Sequence, residues 1–134
     1  MANVEDLEGV GPAFAAKLAE AGVKSIAGLL EAGATRKGRG DLIEKTGISD
    51  KLVLKWVNHA DLMRVAGVDP NLAELLEAAG VDTVKELATR NGTNLAAKLA
   101  EVNGARKLAP SVPDADGVTA LIAVAKDLPG VLTY

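Results

Sequence analysis

At 134 residues, 49% of them hydrophobic and with a formal charge of −3, the chain is long enough for one domain or for two small halves sharing a core. It contains no cysteine, which excludes disulfides and thiolate metal sites. Residues 1–60 hold eight basic and eight acidic side chains, and residues 61–134 hold seven and ten, so no basic stripe of the kind that neutralises duplex phosphates is present. Met1–Asp6 lacks a basic and apolar leader pattern, and no stretch approaches the ~20 apolar residues of a membrane span. A soluble, cytoplasmic protein is therefore expected.

In chain order the first signal is Leu7-Glu8-Gly9-Val10-Gly11-Pro12-Ala13-Phe14, a valine between two glycines followed by a proline. Pro12 suits a first helical position, Phe14, Leu18 and Ala21 share one face, and Gly22 supplies the stop. Ser25 is placed to cap the next helix, with Gly28 three residues on. Thr35-Arg36-Lys37-Gly38-Arg39-Gly40 reads as a basic loop ahead of a helix over roughly 38–45, and Ser49 caps a further helix reaching about 64.

The pattern then starts again. Leu7 through Ile26 lies over Val65 through Val84 without a gap at an offset of 58 residues, sharing punctuation and apolar positions. Pro70 opens the second copy, Gly80 closes it, and Thr83 with Glu86 fits a capping box. Helices are expected over roughly 93–102 and 114–127, joined by a looser 103–113. No segment alternates as a strand would, so the predicted fold is all-α. It consists of two pseudo-symmetric repeats, 1–64 and 65–134, sharing one core around Leu18, Leu29, Leu42, Trp56, Leu76, Leu87, Leu99 and Ile122.

The turn Gly9-Val10-Gly11-Pro12 resembles the helix-hairpin-helix motif, whose use is sequence-independent contact with a DNA phosphate. The resemblance implies phosphate donors at the amides of Gly11 and Ala13, with Lys17 on the adjacent turn. It also implies a monovalent cation in some relatives, here on the carbonyls of Glu5, Leu7 and Val10. Asp41 to Ser49, Leu54 to Arg64 and Gly67-Val68 look like a bacterial family of tandem helix-hairpin-helix proteins known only as a domain of unknown function. The likeness spans Leu7 to Leu128 and is most specific over Lys55 to Arg64. More distantly it resembles the helical modules of strand-exchange recombinases and of the RNA polymerase alpha subunit. Such kinship speaks to fold and leaves function open.

The other turns depart from the motif. Gly67-Val68-Asp69-Pro70 puts a carboxylate where a phosphate would approach, Thr46-Gly47-Ile48-Ser49 keeps one glycine, and Val112-Pro113-Asp114 keeps none. His59 is the only histidine, without a ligand or base partner at suitable spacing, and Gly9-Val10-Gly11 follows no strand, so neither a metal site, a dinucleotide fingerprint nor an enzyme is expected. The sequence favours a non-enzymatic scaffold or adaptor with a protein partner, no small-molecule substrate and no cofactor. The alternative is weak DNA-phosphate binding through Gly9, Val10, Gly11, Ala13 and Lys17 together with Arg36, Lys37 and Arg39 of the 35–40 loop.

Overall fold

A proline that opens a helix and a glycine that closes it recur along the chain, and they delimit short helices. The computed structural model describes residues 3–134. It contains helices α1 (Pro12–Glu20), α2 (Ile26–Ala32), α3 (Arg36–Thr46), α4 (Asp50–Leu62), α5 (Pro70–Ala78), α6 (Val84–Ala88), α7 (Gly92–Arg106) and α8 (Ala115–Asp127), preceded by a 3-10 turn over Val4–Asp6. The fold is all-α. Among the described residues the only β-type pairing is an isolated bridge between Asn3 and Ser25, and no helix is long and apolar enough to cross a membrane.

The chain divides into two compact units. One runs up to Asp61 and is completed by Val131–Tyr134, and the other is Leu62–Gly130. In the first, α1 and α2 pack on α3, and Leu18, Leu29, Leu42 and Trp56 are buried. In the second, α6 and α7 pack on α8 and α5 packs on α7, burying Leu76, Leu87, Leu99 and Ile122. All eight positions expected in the core are thus inside. Trp56, fully buried, meets the Phe14 ring edge-on at 5.2 Å and 62° and so ties α4 to α1.

Caps explain most helix starts. Ser25 Oγ accepts from Gly28 N at 2.9 Å, Thr83 Oγ1 from Glu86 N at 3.2 Å, and Asp114 Oδ1 from Gly117 N at 2.8 Å. The capping box expected at Thr83 is built by its threonine half, because Glu86 Oε1 accepts from Arg90 Nη2 at 2.8 Å, one turn on.

Two segments correct the sequence reading. The 35–40 stretch is not a loop. Thr35 Oγ1 accepts from Gly38 N at 3.0 Å, and α3 begins at Arg36. Gly38 serves close approach rather than flexibility, since a Cβ there would lie 2.2 Å from the Ala32 carbonyl oxygen. Similarly, α7 continues through Asn103-Gly104-Ala105-Arg106 and ends at Lys107, in the left-handed region with φ +52°. Asn103 then holds the following chain by donating Nδ2–H to Ala109 O at 3.0 Å and accepting Ala109 N–H at 2.9 Å.

Two measurements of unfolding free energy test this packing. Trp56→Ala should cost about 3–5 kcal/mol, the usual loss for a fully buried aromatic. Within α3, Gly40→Ala should stabilise by about 0.5–1 kcal/mol, since a Cβ there meets nothing within 4 Å, whereas Gly38→Ala should destabilise.

Candidate functional site

The first hairpin is built by a backbone sign change. Gly9 sits at φ +86°, a conformation that side chains disfavour, and it turns the chain so that Val10 is buried while Gly9 stays exposed. Val10 N–H donates to Leu7 O at 3.2 Å, closing the turn. That bond engages one of the three carbonyls that the helix-hairpin-helix likeness offered to a cation. Gly11 is the N-cap residue of α1 with no side chain to place there, and a Cβ on it would meet nothing within 4 Å. The α1 start is therefore open, with Ala13 exposed beside it. A helix start of this kind carries a partial positive charge and unsatisfied amides. Lys17 is exposed one turn on, its Nζ 5.9 Å from the Phe14 ring centroid.

The second hairpin repeats the turn with different chemistry. Gly67 has φ +100°, Val68 is buried and its N–H donates to Val65 O at 3.0 Å. Where Gly11 stands in the first hairpin, Asp69 stands here, and its Oδ1 accepts from Leu72 N at 2.8 Å. The α5 start thus has its anion already. Gly67 and Asp69 also line a cleft of about 290 Å³ whose opposite wall is Pro110, Val112 and Pro113.

The three cations of 35–40 separate in the folded chain. Arg36 and Lys37 lie exposed in the first turn of α3. Arg39 is buried, 7% exposed, with Nη1 donating to Gly33 O at 2.9 Å and to Ala34 O at 3.3 Å and Nη2 donating to Thr133 O at 2.6 Å. Its guanidinium carbon stands 5.0 Å from the Tyr134 ring centroid. The helical repeat brings this about, because Arg39, Leu42 and Thr46 fall on the inward face of α3 at spacings of three and four. Arg39 is accordingly a structural cation, and the exposed set is Lys17, Arg36 and Lys37. Sequence reading did not single out Asn58 and Tyr134, which meet through Tyr134 Oη donating to Asn58 Oδ1 at 2.9 Å. They are 76 residues apart, and no local pattern marks the pair.

Substitutions separate these roles in thermal or chemical melts. Arg39→Ala should cost about 1.5–3 kcal/mol, the range for charge-assisted hydrogen bonds lost from a buried site, while Arg36→Ala and Lys37→Ala should stay within about 0.5 kcal/mol. Asp69→Ala should cost about 1 kcal/mol, and Gly11→Asp, which transfers the same cap to α1, should add a few tenths of a kcal/mol.

No curated protein and no solved structure matches the chain. A family model, described as a domain of unknown function (DUF4332), matches residues 8–128, from the turn before Gly9 to the end of α8. With nearly its whole length covered, the chain belongs to that family.

Proposed function

We propose that the chain is a tandem helix-hairpin-helix module, two hairpin-bearing repeats 58 residues apart, that acts in the cytoplasm as a non-enzymatic protein-interaction scaffold or adaptor. Support for the repeat comes from α1 and α5, each of nine residues, each opened by proline and each preceded by a positive-φ glycine three residues before that proline. The observation that carries the scaffold reading is the Asp69 carboxylate on the α5 start, 2.8 Å from Leu72 N. Phosphate affinity grows with the number of phosphates neutralised. A module whose second hairpin holds its own anion, and whose Arg39 is turned inward, retains few groups for a polyanion. Remaining capacity lies in exposed helix surfaces of both signs, which suit a protein partner.

A second reading is favoured by the open α1 start at Gly11, which suits a single phosphate contact. Retention of mixed-sequence duplex DNA across a salt series decides between them. The scaffold reading expects a dissociation constant weaker than about 10⁻⁴ M at physiological salt, changed little when Lys17, Arg36 and Lys37 are replaced together by alanine. Micromolar binding that falls steeply with salt, and that Gly11→Asp abolishes in a folded protein, would overturn it.

A further inference from the structure

The first unit is completed by residues from far along the chain, Val131–Tyr134, and the way they are held describes a receptor. Thr133 is gripped by its main chain at both ends, its N–H donating to Ala34 O at 2.8 Å and its carbonyl accepting from Arg39 Nη2 at 2.6 Å. Capture through both main-chain groups does not depend on the side chain at that position. The next position is read by chemistry. The Tyr134 ring lies against the Arg39 guanidinium, and its hydroxyl donates to Asn58 Oδ1 at 2.9 Å. Both reading groups are prearranged. Arg39 and Asn58 are 7% and 6% exposed, and Arg39 is fixed by the carbonyls of Gly33 and Ala34.

The occupant itself is held lightly. Tyr134 is 64% exposed, so its ring leans on the site without being enclosed. Beyond it the groove continues for about 610 Å³ between α3 and the start of α4, with Ile43 and Leu54 as apolar walls and Arg36, Asp50 and Lys51 as charged ones. A polar clamp at one end and an apolar extension at the other suit a longer segment than the two residues gripped here.

We propose that this groove is a docking site for an extended, tyrosine-bearing peptide segment of a protein partner, and that Val131–Tyr134 is its resident occupant. The proposal rests on the scaffold reading and gives it a location. A partner segment would place its tyrosine on Arg39 and Asn58 and an apolar residue beyond it against Ile43 and Leu54. Because the resident competes intramolecularly, at an effective concentration of order millimolar, the partner must displace it with those additional contacts.

The test uses a fluorescently labelled peptide of sequence Leu-Pro-Gly-Val-Leu-Thr-Tyr, which copies residues 128–134, and follows its anisotropy against three full-length backgrounds. These are the wild type, Tyr134→Ala, and a variant lacking residues 131–134. The proposal expects the peptide to bind the deletion variant roughly tenfold or more tightly than the wild type, with Tyr134→Ala between them. A peptide with phenylalanine for tyrosine should bind more weakly, and one with alanine should not bind measurably. Circular dichroism melts establish that each variant is folded. Should the deletion not fold, Tyr134→Ala, a change at an exposed side chain, carries the comparison alone. Equal binding to wild type and the emptied variants, no binding to any, or indifference to the peptide's tyrosine would overturn the proposal. None of these results bears on DNA retention, so failure of the groove and failure of the scaffold reading are read from separate experiments.

Discussion

A glycine held in the left-handed region immediately before a buried valine is the constraint on which both hairpins depend. At Gly9 and at Gly67 the backbone reverses in one residue, which any side chain would resist, and Val10 or Val68 is turned into the interior as a result. Pro12 and Pro70 then start helices whose apolar faces point the same way. If the turn were looser, the valine would be exposed and the angle between the flanking segments would be unspecified. Everything packed against α1 and α5, including the Phe14–Trp56 contact in the first unit, inherits its placement from that reversal.

Charge in this protein is largely directed inward or neutralised locally. Asp69 caps α5, Asp114 caps α8, Glu86 pairs with Arg90, and Arg39 gathers three carbonyl oxygens. Each is a charged group satisfying backbone or neighbour, which a buried or half-buried charge requires if it is not to destabilise the fold. The groups left for recognition are consequently few and dispersed, an arrangement better matched to selective contact with a protein surface than to the long-range attraction of a polyanion.

Arg39 illustrates how one residue can take a role opposite to the one its neighbourhood suggests. Flanked by Arg36, Lys37 and two glycines, it has the composition of a flexible basic loop. Glycines in a helix cost about 1 kcal/mol each, and cations oppose the helix dipole at its start, so local preference argues against α3 beginning where it does. Packing overrides that preference. The carbonyl of Ala32 approaches so closely that only glycine fits at position 38, and the inward face formed by Arg39, Leu42 and Thr46 supplies the burial. A glycine read in sequence as freedom proves in three dimensions to be a contact.

What the sequence determined by itself was whatever depends on local periodicity and punctuation. The all-helical class, the starts at Pro12 and Pro70, the caps at Ser25, Ser49 and Thr83, and the burial of Leu18, Leu29, Leu42, Trp56, Leu76, Leu87, Leu99 and Ile122 were all legible, because each follows from residues within a turn or two of one another. The extent of α3 and α7 was decided by tertiary structure, since helix ends respond to neighbouring elements as much as to propensity. The meeting of Arg39 and Asn58 with Thr133 and Tyr134 lay wholly beyond the sequence. Contacts across 94 and 76 residues have no period and no spacing to announce them, and only the folded path of the chain makes them neighbours.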